Sequence, residues 1–399
     1  MSGAVAGPGE RVPADRLEIR GSAWLERVAG GVLPHRLPAR CRTRMPDGFA
    51  RMVDEQGAAV RIRLRTAAGR VVVRGRPIAT RLVGGPPPGD LVWDVVRDAP
   101  LGDVAPVRST STGTDLLDPA SGDVRRTVGE VVEVVAQLPG AGRLRDVEIW
   151  LPVDAAVVLR DVEADAPIHP PSPVSAPRWV HHGSSISQGA GAASPTTTWP
   201  AVAARAAGLD LVNLGMSGNA MLDPYVAGAI RDSGADVVSL EVGINVVNRD
   251  CLRERTFGPA LHGMLDTIRS GLPSVPVVVI SPLLCPLVED VPGPTYFDPD
   301  RGRFATHGRA DDRADGRLDL RRIRALVHEV VAVRDDPALQ HLDGRALWGE
   351  ADEAAAPWSD AMHPDPAAHR EIGRRFAEVL VSVSPTPAGR GSTSDAPVR

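Results

Sequence analysis

The chain has only three cysteines, Cys41, Cys251 and Cys285. An odd, sparse set without metal-type spacing argues against a disulfide framework or a zinc site, and three reduced thiols are expected. No apolar run reaches the ~18 residues of a membrane span. The opening MSGAVAGPGERVPADR has no apolar core of signal-peptide length, so a soluble, cytoplasmic protein is expected. Basic excess is also missing: 45 Lys+Arg against 50 Asp+Glu leaves a net charge of −5. That offers no electrostatic reason to expect nucleic acid or an acidic membrane as partner. Aromatics are few in the first 165 residues beyond Trp24, Trp93 and Trp150, which leaves little surface for stacking on sugars and weakens a purely carbohydrate-binding role.

What is present is long and apolar enough for two domains: 399 residues, 43% hydrophobic. Residues 1–14 are Gly/Pro-rich and are expected to be flexible. Residues 15–165 read as β structure. Val60 to Arg65 alternates apolar with polar, as a half-buried strand does. Further strands are expected at 70–74, 91–97, 130–137 and 144–151, separated by turn clusters such as Gly84-Gly85-Pro86-Pro87-Pro88-Gly89. Short strands with frequent turns predict a β-sandwich. Residues 166–176 are proline-rich and predict a stiff, extended linker. From 177 to 383 the period changes. Apolar strands at 178–182, 209–214, 235–242, 275–281 and 339–347 alternate with helical patterns, which predicts a parallel sheet covered on both faces. Residues 384–399 are low in complexity and are expected to be disordered.

The second half is organised around residues 177–189, Pro-Arg-Trp-Val-His-His-Gly-Ser-Ser-Ile-Ser-Gln-Gly. This reads as a buried strand that stops at Gly183 and turns into a helix. Ser185 then sits at the carboxyl end of a strand, where open α/β sheets build their sites. The second strand is followed by Asn213-Leu-Gly-Met-Ser-Gly-Asn219 and the third by Glu241-Val-Gly-Ile-Asn245. Ser359-Asp-Ala-Met-His-Pro364 precedes the last helix. In a parallel sheet the first three of these loops converge. Acyl transfer by serine needs a nucleophile, a base, a group that orients the base, and donors for the developing oxyanion. Ser185, His363 and Asp360 can fill the first three roles. The Ser185 amide, the Gly218 amide and the Asn245 side chain can fill the fourth. A glycine there lets the backbone approach a substrate closely.

Four ordered blocks, Gly183 to Gly189, Gly218, Asn245 and Asp360-x-x-His363, together with Trp199-Pro200, resemble the SGNH subgroup of GDSL-type hydrolases over about residues 177–380. The resemblance implies a flavodoxin-like three-layer α/β/α domain behind a jelly-roll-like β-sandwich, as in two-domain bacterial members. It implies a catalytic set of Ser185, Asp360 and His363 with an oxyanion hole from Ser185, Gly218 and Asn245, and no cofactor or metal. The implied activity is cleavage of carboxylic esters through an acyl-enzyme, the alternative being transfer of an acyl group from a thioester to a hydroxyl. The implied partners are small-molecule esters or acylated sugars and natural products. Ser184 stands where Asp is usual, and Val246 follows Asn245 where Asp is common. Neither change touches the reacting groups.

Other reading frames fail on specific residues. A classical α/β-hydrolase elbow needs Gly-x-Ser-x-Gly, but Ser187 stands two after Ser185. A dinucleotide fold needs Gly-x-Gly-x-x-Gly after the first strand, and none is there. Ser184 is expected to cap a helix. His181, His182 and Glu241 are expected to be structural, and Asp223 to start a helix. Asp311, Asp312 and Asp315 lack EF-hand spacing and are expected to be solvated. The proline-rich, charged segment 285–318 is too long for a plain connection and is expected to wall or cover the site. The first domain is expected to shape specificity and to carry none of the chemistry, since every catalytic candidate follows residue 177.

Overall fold

Five apolar runs of the second half form one parallel sheet. In the computed structural model, which describes residues 6–119 and 121–384, the strands lie in the order Asp210–Asn213, Arg178–His182, Val237–Glu241, Val277–Ile280, Leu339–Leu342. This is the 2-1-3-4-5 order of flavodoxin-like sheets, and its switch point lies between the first and third strands. Helix Trp199–Ala207 packs against Pro366–Val383, and Glu254–Arg269 packs against Pro224–Arg231 and Leu320–Ala332. Local chemistry sets the helix ends. Proline occupies the first turn of Trp199–Ala207, and Gly208 closes it in the left-handed conformation. The Asp365 side chain caps the last helix by accepting from the amides of Ala367 and Ala368. That helix buries Ile372, Phe376 and Leu380, the stripe its periodicity predicts.

The first half folds into two sheets. One runs Ile168–His169, Arg61–Thr66, Arg145–Trp150, Leu91–Arg97, Val104–Ser109. The other runs Val124–Thr127, Gly113–Leu117, Arg70–Leu82, Ala155–Ala164, Gly31–His35, Trp24–Val28. Ile62, Leu64, Val95 and Ile149 of the first share a core with Val71, Val73, Leu159 and Val162 of the second, which makes a β-sandwich.

Three local expectations need correction. The segment 1–14 is not uniformly loose: Ala6 bridges to Ile168, and Arg11–Pro13 pairs antiparallel with residues 161–163. Residues 1–5 and 385–399, which include most of the expected tail, lie outside the described residues. The proline-rich connection is extended but tied down. Ile168–His169 pairs with Arg61–Thr66, and Ser172 hydrogen-bonds Arg63, Arg65 and Asp146. Finally, the β region contains helical structure at Ala39–Arg44 and Gly48–Asp54, the latter capped by Asp47 accepting from the Ala50 amide.

Most of the polar face of Arg61–Thr66 is turned away from water. Arg61 and Arg63 are buried. Arg61 Nη2 donates to Asp210 Oδ1 at 2.6 Å and Nη1 to the Leu211 carbonyl at 3.2 Å, so this strand docks on the edge of the parallel sheet. Arg20 grips the same carboxylate, with Nε 2.7 Å from Oδ1. All 45 basic residues of the chain are arginine, whose planar fork suits buried pairing better than lysine does. Apolar contact continues beside this joint. Leu37, Met45, Met52 and Trp150 belong to the same core cluster as the helices around the parallel sheet. The two halves therefore share one buried interior.

Candidate active site

The chain leaves strand Arg178–His182 through Gly183 and enters the short helix Ser185–Gln188. Ser184 is its N-cap, accepting from the Ile186 amide at 3.2 Å, as expected for a serine at this turn. Gly183 leaves room beneath: a Cβ there would lie 2.8 Å from Glu241 Oε2 and closer still to Ser187 Oγ. Glu241 Oε2 accepts from the Ser184 amide at 2.9 Å and from Ser187 Oγ at 3.1 Å, so the buried acid braces the turn from below. Burial raises its carboxyl above the usual range, and the two donors offset only part of that.

Ser185, 8% exposed, points its hydroxyl at the last loop. Oγ lies 2.8 Å from His363 Nε2, and His363 Nδ1 lies 2.7 Å from Asp360 Oδ2. With Nδ1 donating to the carboxylate, Nε2 is left to accept from the hydroxyl. Asp360 Oδ1 accepts the amides of His363 at 2.7 Å and Met362 at 2.8 Å. The turn that allows this has Ala361 in the left-handed region, φ 64°. Burial opposes ionisation of Asp360, but the hydrogen bond and charge of His363 with the two amides outweigh it, holding the carboxyl below its ordinary value.

The donor candidates meet this group through hydrogen-bonded loops. The Met216 amide donates to the Gly183 carbonyl at 2.8 Å, and the Ala220 amide to Asn245 Oδ1 at 3.1 Å. The second contact turns Asn245 so that Nδ2 is its donor end. Gly218 sits at φ 66°. Among the described residues, the amides of Ser185 and Gly218 have no protein acceptor. Hydrogen bonds thus tie the loop of Gly218 to the turn of Ser185 and to Asn245, and the hydroxyl–imidazole–carboxylate chain is an arrangement able to carry out nucleophilic acyl chemistry.

The remaining sequence candidates are structural. His181 Nδ1 pairs with Ser239 Oγ and His182 Nδ1 with the Leu214 carbonyl, each at 2.7 Å. Burial pushes the two imidazoles down to about 3 and about 4, so both are neutral. Asp223 precedes helix Pro224–Arg231, and burial raises it to about 6. Asp311 and Asp315 are exposed, and Asp312 accepts from the Arg309 amide. Among the described residues, Glu26, His35 and Glu55 come within possible ligand distance of one another. Glu55 is already held by Arg42 and Arg126, so its charge is matched internally.

Segment 285–318 contains a hairpin, Thr295–Asp298 with Arg303–Thr306. Phe304 from its second strand reaches the ring of His363.

Several contributors escaped the sequence reading. His369 is buried; it accepts from the Trp199 amide and donates to the Ala190 carbonyl, tying the last helix to the chain just past Ser185. Three more come from the first half. A Cβ on Gly218 would lie 2.9 Å from the Phe49 ring. Arg36 donates to the carbonyls of Gly215 at 2.6 Å and Asn213 at 3.0 Å. Gln56 Oε1 accepts from Gln188 Nε2 at 2.6 Å. The one local hint was Arg36 itself, a charge between the apolar Val32-Leu33-Pro34 and Leu37.

Residues 177–284 match the family described as GDSL-like Lipase/Acylhydrolase family. No curated protein sequence matches the chain. Among solved structures, a salicylyl-acyltransferase from a tetracycline biosynthetic pathway is 26% identical, with a TM-score of 0.76, covering 96% of this chain and 98% of its own. A Bacteroides ovatus protein named a GDSL-like lipase is 19% identical, with a TM-score of 0.67, covering 94% of this chain and 97% of its own. A family two carbohydrate esterase from Cellvibrio japonicus is 13% identical, with a TM-score of 0.55, covering 96% and 98%. The last two are similar in fold alone. No helix among the described residues is long and apolar enough to cross a membrane. Over residues 177–284 the chain thus matches the GDSL-like lipases and acylhydrolases, the group its sequence blocks resemble, and that match supports an enzyme acting on esters.

Proposed function

We propose that the protein cleaves carboxylic esters of small molecules through an acyl-enzyme on Ser185. The observation that carries this reading is the unbroken chain Ser185 Oγ–His363–Asp360, at 2.8 and 2.7 Å. Ser185 Oγ attacks the ester carbonyl as His363 Nε2 takes its proton. Asp360 accepts from Nδ1 and favours the imidazolium that forms. Charge developing on the carbonyl oxygen meets the amides of Ser185 and Gly218 and Asn245 Nδ2. His363 then protonates the departing alkoxide. In the second half-reaction water gives its proton to His363 and attacks the acyl group; the bond to Ser185 Oγ then breaks, His363 returns the proton to that oxygen, and the acid leaves.

A second reading replaces water by a hydroxyl of a sugar or natural product and the ester by a thioester. It is favoured by the near full-length likeness, across both halves, to a salicylyl-acyltransferase. Both readings share the acyl-enzyme and differ in the acceptor that the site admits.

A fluorophosphonate should label Ser185 alone, and Ser185→Ala should abolish labelling and turnover. Labelling at Ser184, or turnover retained by Ser185→Ala, would remove this mechanism. A panel of acyl esters and thioesters, with and without alcohol acceptors and read by mass spectrometry, separates the readings. Free acid supports hydrolysis, and acylated acceptor supports transfer.

A further inference from the structure

The loop 213–219 carries Gly218 and is held from two directions. From its own half, Asn213 Nδ2 donates to the Ser187 carbonyl at 2.9 Å, and Asn213 Oδ1 accepts from the Gly215 amide at 2.8 Å. From the sandwich, one nitrogen of Arg36 bridges the carbonyls of Asn213 and Gly215, while Nη2 donates to the Val53 carbonyl at 2.5 Å. Next along the loop, the Ser217 amide donates to Gln188 Oε1 at 3.0 Å. The other end of Gln188 is held by Gln56, whose own Nε2 donates to Thr80 Oγ1 and the Asp154 carbonyl.

Each of these bonds fixes a peptide plane. Arg36 fixes the plane after Gly215 and Gln188 the one before Ser217, leaving the Gly218 amide as the next donor along the chain. Arg36 is 1% exposed, and its hydrogen-bond partners among the described residues are three backbone carbonyls and Gln188 Oε1, with no carboxylate. Its Nε has no partner among the described residues. Taking a guanidinium out of water to meet backbone carbonyls is costly. Burial accordingly pushes it down to about 10, only partly opposed by Asp54. An interface needing only adhesion could use apolar contact here, as the neighbouring Leu37 and Val53 do.

We propose that Arg36, with the Gln56–Gln188 pair, is a positioning element that aims the Gly218 amide at the oxyanion, so that the β-sandwich completes the catalytic geometry without touching substrate. This rests on the proposed acyl-enzyme reading. Because a transition state needs the aimed donor more than the bound ester does, loss should fall on kcat and spare KM.

The test uses full-length protein and an acetyl aryl ester. Wild-type turnover that disappears in Ser185→Ala establishes the underlying reading first; without it, that reading fails before Arg36 is judged. Arg36→Met should lower kcat by about 10- to 100-fold, less than the 10²–10³ lost with an oxyanion donor itself. KM and the shape of the pH profile should hold, since Ser185, His363 and Asp360 are untouched. An alkyl boronate, whose tetrahedral adduct on Ser185 places an oxygen among the donors, should weaken in parallel with kcat. Arg36→Lys should recover part of the loss. Arg61→Met, an equally buried interface arginine that meets Asp210 and not this loop, should lower the melting temperature and leave kcat per folded molecule unchanged. If Arg36→Met does not fold, Gln56→Leu carries the same test, with a fall of about 3- to 10-fold. A melting-temperature loss with unchanged kcat and boronate affinity, in either variant, would overturn the proposal and leave Arg36 as interface glue.

Discussion

The ring of Phe304 stands edge-on to the imidazole of His363, centroids 5.4 Å apart at 72°, and the Phe304 amide donates to the Asp360 carbonyl at 2.8 Å. One residue of the 285–318 segment thus touches both members of the Asp-x-x-His pair. An edge-to-face pair contributes about 0.5–1.5 kcal/mol. Phe304→Ala keeps the backbone bond and removes the ring, so kcat/KM should fall roughly 2- to 10-fold. Unchanged kinetics across small and large esters would make the hairpin a bystander.

Asp360→Asn should lower kcat by up to about 10⁴-fold, the loss seen when the orienting acid of a serine triad loses its charge. The His363 and Met362 amides still find the amide oxygen, so folding should survive. The pH sign follows from the depressed carboxyl. Its stabilising contribution is present above the ordinary carboxylate range and is lost as pH falls through the lowered value. Asp360 should therefore add no ionisation to the acid limb of wild-type kcat/KM in the ordinary carboxylate range. A carboxylate ionisation appearing in that limb near the ordinary range would contradict the depressed Asp360.

Glu241→Gln tests the brace under the nucleophile turn. The Glu241 carboxyl is raised by burial, so its native state favours the protonated form. Stability from such a group is complete below the ordinary carboxylate range and declines as pH rises through the raised value. A neutral amide escapes that decline and can still accept from Ser184 and Ser187 through its oxygen. The variant should melt higher than wild type at about pH 8 and nearly level with it at about pH 4. A lower melting temperature at the higher pH would show that the ionised acid is the better partner.

A fragment beginning near Val174 holds Ser185, Gly218, Asn245, Asp360 and His363, and a first half that only shapes specificity would leave it active on small esters. The contacts between the halves and the proposed role of Arg36 predict a different outcome. Removing the sandwich strips the apolar partners Leu37, Met45 and Met52 from a shared core, leaves Asp210 without Arg20 and Arg61, and frees the Gly218 loop from Arg36. The fragment should be insoluble, or soluble and at least about tenfold slower on an acetyl aryl ester, less than the loss of a whole oxyanion donor. Full activity in a soluble fragment would return the sandwich to a specificity role.

What the sequence determined by itself was local. Strand Arg178–His182, the Ser184 cap beside Ser185, and the three-residue step from Asp360 to His363 follow from period, cap chemistry and spacing among contiguous residues. Strand–helix alternation then dictated a parallel sheet whose carboxyl ends share one edge. The tertiary structure decided what each polar side chain would face. Alternation in Arg61–Thr66 shows which side chains share a face, but a strand cannot tell whether that face meets water or another sheet. Here it meets Asp210, and arginines that look solvated become buried partners. Arg36 lies 177 residues from Asn213, a separation at which no periodicity links the two. Its role exists only because sandwich and sheet share a core that brings a guanidinium within reach of backbone carbonyls.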